Sequence, residues 1–327
     1  MRAPHFQHNK MGSRNKAASL AAHRDAGALL RAWSWPSSRL DFITLLLALS
    51  VGAWFWAPLM HLIALASEQE HFTHLLLVPI LTSYLLFSNR ATILSSHKTS
   101  PFIGLLVIVS GAVCYLLADG VAWRQDRLTA DISAFIVMCW GLFLLAFGSE
   151  SFRDNLFALA ILLFMIPLPP VLLDMIIAFL QRSSADTVDV LFSILGIQAL
   201  RDGFTFELSH FIIFIEEECS GIRSFFALII TSLLASHWFL VSWWTKAALV
   251  AVVVPLAILK NAFRIVGLTL LANYVDPAFL LDSALHRYGG IPLFALSCTM
   301  LVCIAWLLYK LERRFKSASH DAFRAQA

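Results

Sequence analysis

The sequence predicts an all-α polytopic membrane protein of about eight spans, and two observations carry that prediction. The first is composition: 59% of the 327 residues are hydrophobic and only 14% charged, which removes the soluble classes and leaves apolar sequence for several crossings of about 20 residues each. The second is where the charges fall. Arg2, Lys10, Arg14, Lys16, Arg24, Arg31 and Arg39 crowd one end, and Lys310, Arg313, Arg314, Lys316 and Arg324 the other. Lys and Arg mark cytoplasmic segments, so both termini are expected inside, as basic tails over 1–39 and 311–327, and the number of spans must be even. Membrane orientation accounts for this charge without any nucleic-acid partner.

In chain order, no apolar segment follows the early basic residues until Phe42, so no cleaved signal is expected. A first span over 42–66 leads to an acidic outer loop at Glu68, Gln69 and Glu70, and 72–87 returns. After Asn89-Arg90 and His97-Lys98 come a third span at 101–118 and a fourth at 132–147, separated by a polar outer loop containing Arg124 and Asp131. A fifth starts near Asn155 and must end at Pro167-Leu168-Pro169-Pro170, which no continuous helix accommodates.

Beyond the prolines the pattern changes. Asp174, Gln181, Arg182, Asp186 and Asp189 interrupt apolar residues at helical spacing over 171–200, which predicts an amphipathic helix lying on the outer, periplasmic surface. Turn signals at Gly196 and Asp202-Gly203 precede 204–208 and 211–215, read as a short β-hairpin. Three spans complete the set, over 222–241, 247–268 and 291–309.

Between the hairpin and the sixth span stands Glu216-Glu217-Glu218-Cys219-Ser220-Gly221-Ile222-Arg223-Ser224, a polar island in an apolar chain. Cys219 lies just before a helix N-terminus, where the helix dipole favours a thiolate, and a cationic partner is needed to offset the three acids. Arg264 lies eighteen residues beyond Lys246 on the seventh span, roughly 27 Å up at 1.5 Å per residue, near the outer boundary. Lys260 and Asn261 accompany it there, and His286 precedes the eighth span on the same side with Asp282 one helical turn before it. Thiol, imidazole and guanidinium at one membrane level suggest acyl transfer: Cys219 attacks a carbonyl, His286 shuttles a proton, and Arg264 stabilises the oxyanion or aligns the substrate. The other cysteines, Cys114, Cys139, Cys298 and Cys303, read as small residues inside helices.

The ordered set formed by EEECSGIRS, NAFR at 261–264 and His286 with Gly290 after it resembles the exosortases, bacterial multi-spanning cysteine transpeptidases related in function to sortases. The resemblance covers about 42–309, within an exosortase-like domain at 40–310. It includes Phe72-Thr73-His74, similar to the early histidine motif, and Met165-Ile166-Pro167-Leu168-Pro169, similar to the proline-rich segment. The resemblance implies Cys219 as nucleophile with Arg264 and His286 completing the catalytic set, and Glu217 as a matching acid. Ser220, Arg223, Asn261 and His74 are expected to support the site or position substrate.

The implied partners are exported single-span proteins with a C-terminal sorting signal, often Pro-Glu-Pro followed by a transmembrane helix and a basic end. The implied location is the bacterial inner membrane with the active site facing the periplasm. No cofactor or metal is expected, since no phosphate loop, dinucleotide motif or metal-ligand cluster occurs in the sequence. A glutamate protease of the EExxxR kind fails by one residue, because positions 221 and 222 hold Gly221 and Ile222. HExxH and GxSG are absent too. A transporter or a scaffold for exopolysaccharide export remains the alternative, but its polar site belongs near the midplane.

Overall fold

The computed structural model describes residues 39–95, 99–120, 124–208, 211–276 and 290–325. It is mostly helical, and the chain divides into two compact units, Met1–Ile63 with Leu77–Ile166 and Ala64–Leu76 with Pro167–Ala327. The amino-terminal basic tail through residue 38 and the segment carrying Asp282 and His286 lie outside the described residues, as do the side chains of Glu218 and Cys219.

In the first unit, helix α1 (Arg39–Trp54) and α2 (Trp56–Glu68) are bent by 56°. Pro58 explains the break: it has no N–H to give the Trp54 carbonyl, so the ladder fails one turn before it. Then follow α3 (His74–Ser88), which begins in the second unit, the short α4 (Arg90–Ser95), α5 (Pro101–Leu117), α6 (Arg124–Asp154) and α7 (Leu156–Ile161). Helices α5 and α6 cross through glycine. A Cβ on Gly104 would sit 2.6 Å from the Leu145 nitrogen, and one on Gly141 2.8 Å from that of Ile108, so backbone lies on backbone. Beside this crossing Phe55 is fully buried, with its ring 4.8 Å from Tyr115 and 5.4 Å from Phe135.

The second unit holds α8 (Pro170–Leu195), strands β1 (Ala199–Asp202), β2 (Thr205–Leu208) and β3 (Ile212–Phe214), then α9 (Ile222–Phe239), α10 (Trp243–Tyr274) and α11 (Gly290–Ala325). The strands form one antiparallel sheet in the order β1-β2-β3, with Arg201 opposite Phe206 and Phe206 opposite Ile213. The expected hairpin is thus present and is extended by β1, whose four residues have no β-branched run to announce a strand. Phe206, Ile213 and Ile215 pack on Ala185, Val188 and Phe192 of α8 and on Ala262, Ile265 and Val266 of α10. The sheet is therefore pinned between the two helices that carry the polar residues described below.

Each expected span has helical residues at its position, but the fifth has only the six of α7 and one 3-10 turn, Leu162–Met165. Four helices among the described residues are long and apolar enough to cross a membrane, and six spans result if two bent pairs count as one each. Helices α3 and α5, with 15 and 17 residues, fall short of the roughly 20 that a crossing takes. Helix α8 is amphipathic in an unexpected sense. Its buried stripe contains Gln181 and Ser184 beside Leu173, Ile177, Leu180, Val188 and Phe192, while Val171, Met175, Phe179, Val190 and Ile194 are exposed.

At the other end of α10 a carboxylate closes the unit. Glu312 of α11, only 8% exposed, accepts hydrogen bonds from the Ser242 nitrogen at 2.8 Å, the Val241 nitrogen at 3.2 Å and the Thr245 hydroxyl. The first N–H groups of a helix have no partner inside it, and a negative charge there also meets the positive end of the dipole.

Candidate functional site

The site is built within the second unit, where the chain leaves β3. The Gln181 amide donates to the Ile215 carbonyl at 2.5 Å, fixing the last strand position before the acidic run. Glu216 stays extended, Glu217–Ser220 forms one turn of 3-10 helix, and Gly221 reverses the chain into α9 with φ of 80° and ψ of 12°. That left-handed conformation suits glycine because it costs no Cβ clash.

A second constraint acts on the same glycine. Any Cβ at 221 would lie 3.2 Å from both Cγ and Oδ1 of Asn261, so the Cys-Ser-Gly turn rests directly on α10. Asn261, 1% exposed, is fixed in turn, its amide nitrogen donating to the Ser184 hydroxyl of α8 at 3.1 Å. One residue earlier, the Lys260 ammonium, 8% exposed, donates to Ser224 of α9, and Ser224 donates to the Gly221 carbonyl at 2.8 Å. Turn, α8, α9 and α10 are thereby tied by one run of polar contacts.

Ser220 is 2% exposed, and its hydroxyl has no hydrogen-bond partner among the described residues. Arg264 is half-buried three positions beyond Asn261, on the same side of α10. His74, at the start of α3, stacks on Phe226 of α9 with ring centres 4.6 Å apart, and its Nδ1 faces the His71 carbonyl at 3.0 Å. A ring nitrogen facing a carbonyl must donate, which leaves Nε2 as the acceptor of the neutral ring.

Of the residues singled out in the sequence, Ser220 and Asn261 come together around Gly221, with Arg264 one turn along, and His74 reaches the first turns of α9. Glu217 and Arg223 are exposed. The Cys219 backbone lies in the 3-10 turn. His286 lies outside the described residues. Gln181 and Ser184 were not foreseen as site residues. Their signal was their register, since both fall on the stripe of α8 that otherwise carries leucine, isoleucine and valine. Among the described residues no group of three or more His, Cys, Asp or Glu could hold a metal ion.

The chain matches the transmembrane exosortase family over residues 66–303, a stretch that contains His74, Cys219, Arg264 and His286. It belongs to the transmembrane exosortases. Membership makes this exosortase a multi-pass membrane protein of a transpeptidase and protease family. The match runs from the end of α2 into α11. No curated protein and no solved structure matches this exosortase.

Proposed function

We propose that this exosortase is a cysteine-type transpeptidase or protease that removes C-terminal sorting signals, of the Pro-Glu-Pro kind, from exported single-span proteins. The observation that carries the reading is the seating of Gly221 on Asn261, which brings the Cys-Ser-Gly turn so near the helix of Arg264 that an added Cβ would lie 3.2 Å from the Asn261 side chain.

In this reading Cys219 is the nucleophile. The N-terminus of α9, three residues on, and the cationic side chains of Lys260 and Arg264 on α10 oppose the effect of Glu216–Glu218 on the thiol. Attack of the thiolate on the scissile carbonyl forms the C–S bond. Collapse of the tetrahedral intermediate breaks the C–N bond, and His286 delivers the proton that the leaving amine requires. The Ser220 hydroxyl and the Arg264 guanidinium donate to the developing oxyanion or to the substrate backbone. Water or an acceptor amine then releases the thioester. Glu217 and Arg223, both exposed, bind the flanking substrate, and His74 supports the first turns of α9 through Phe226.

In this reading both termini are cytoplasmic and α10 rises outward from Trp243, which puts Lys260 to Arg264 roughly 26–32 Å along it at 1.5 Å per residue. That length matches the hydrocarbon thickness of about 30 Å, so the turn faces the periplasmic boundary of the inner membrane. A substrate span beside the bundle would present its scissile bond at that level.

The test is co-expression with a single-span reporter ending in a Pro-Glu-Pro type signal, comparing the parent with Cys219→Ala. The parent is expected to remove the tail and the alanine variant to leave it intact, with mass spectrometry of the new C-terminus separating hydrolysis from transfer. Processing undiminished in Cys219→Ala would overturn the mechanism.

A further inference from the structure

The first unit contains an open, largely apolar pocket with one ion pair in its wall, which the chemistry at Cys219 does not use. Its volume is about 270 Å³, and its walls include Ala57, Pro58 and His61 of α2, Tyr115 of α5, and Arg127 and Asp131 of α6. Tyr115 lies two residues before the end of α5, and Arg127 and Asp131 occupy the first two turns of α6. The pocket is therefore at one end of α5 and α6, beside the segment read from the sequence as the outer loop between the third and fourth spans.

Its walls are preorganised. Arg127 Nε donates to Asp131 Oδ1 at 2.7 Å, Asp131 is 7% exposed, and the guanidinium lies 5.3 Å above the centre of the Tyr115 ring. That ring is itself fixed at 4.8 Å from the buried Phe55 and 5.6 Å from Trp54. A purely anionic ligand would meet Asp131 and a purely cationic one Arg127. A ligand carrying both signs a few ångströms apart satisfies both walls, and an ammonium that retains N–H groups can donate to the carboxylate where a quaternary one cannot. Next to the cavity Trp56, Met60, Leu116 and Leu117 are exposed, a surface suited to acyl chains.

We propose that this cavity is a binding site for the headgroup of an amine-bearing zwitterionic phospholipid, its phosphate at Arg127 and its ammonium at Asp131. The site is separate from the reading of Cys219 and stands whether or not that reading holds.

The test is native mass spectrometry of the purified full chain equilibrated with equal amounts of phosphatidylethanolamine, phosphatidylcholine and phosphatidylglycerol of matched acyl chains. The parent is expected to retain phosphatidylethanolamine at least fivefold over the other two, and soluble glycerophosphoethanolamine in excess to erase the preference. Ala57→Phe, which fills the pocket from an exposed position and leaves both charged residues in the sequence, should bring the three lipids to parity. Asp131→Asn should turn the preference toward phosphatidylglycerol. Equal retention of the three lipids by the parent, a preference for phosphatidylglycerol, erasure of the preference by inorganic phosphate alone, or a preference that survives Ala57→Phe would each overturn the proposal. Ala57→Phe keeps the test decisive even where Asp131→Asn fails to fold.

Discussion

In the first unit α5 and α6 meet through Gly104, Gly111 and Gly141, where missing side chains let the backbones touch; in the second, α8, α9 and α10 meet through Gln181, Ser184, Ser224, Lys260 and Asn261. The two solutions follow from the same solvent. Lipid gives apolar helices little reason to prefer each other over hydrocarbon, so association comes from close contact or from hydrogen bonds that hydrocarbon cannot replace. Close contact makes a scaffold that tolerates no added volume. Hydrogen bonds make a surface that can do chemistry, at the cost of burying groups that must be satisfied one by one.

That contrast can be broken most severely at Gly221. Gly221→Ala forces a side chain into a left-handed backbone and against Asn261, a strain on the order of 1–3 kcal/mol concentrated in the turn. Reporter processing should fall by more than tenfold while the far-ultraviolet dichroism of the purified protein is unchanged; full activity would mean that the turn is not seated as described. Next comes Gly104→Leu in the first unit. Here overpacking should lower stability by about 1–3 kcal/mol, read as a lower thermal midpoint in detergent. The specific activity of the folded fraction should stay at the parental value, and a selective loss of activity would blur the contrast.

Asn261→Ala removes the donor to Ser184 and leaves a fully buried hydroxyl to be satisfied elsewhere, with an expected destabilisation of about 1–3 kcal/mol. Asn261→Asp, which retains the size but loses the amide donor and buries a carboxylate, should not recover the stability. The finest comparison uses two buried hydroxyls that lack a hydrogen-bond partner among the described residues, Ser151 in the first unit and Ser220 in the second. Ser220→Ala should slow processing roughly three- to tenfold, the worth of one hydrogen bond of about 0.5–1.5 kcal/mol, with no loss of stability. Ser151→Ala should leave both activity and stability within error. Equal effects on processing would show Ser220 to be no more than filler.

The helices were legible because long apolar runs admit few other readings, and the turn because nine consecutive residues from Glu216 to Ser224 include so much polarity in so apolar a chain. Glycine at 221 could be read as a turn, but not as a contact with a residue forty positions away. The inward stripe of α8 was illegible for a different reason. Gln181, grouped with Asp174, Arg182, Asp186 and Asp189, reads as part of an outward polar face, and only the positions of β3 and α10 turn Gln181 and its neighbour Ser184 inward. Strand β1 shows the same limit, since Ala199 to Asp202 becomes a strand only because β2 offers it an edge.

Glu312 has a consequence for the order of synthesis. The carboxylate that closes the start of α10 lies 71 residues beyond the Val241 nitrogen it accepts from. At about 5–20 residues per second, roughly 4–14 s of translation separate the two groups. During that interval the Val241 and Ser242 amides lack the carboxylate that meets them in the folded unit. The junction can be completed only after Glu312 of α11 has been made, so α9 and α10 wait on a residue synthesised well after them.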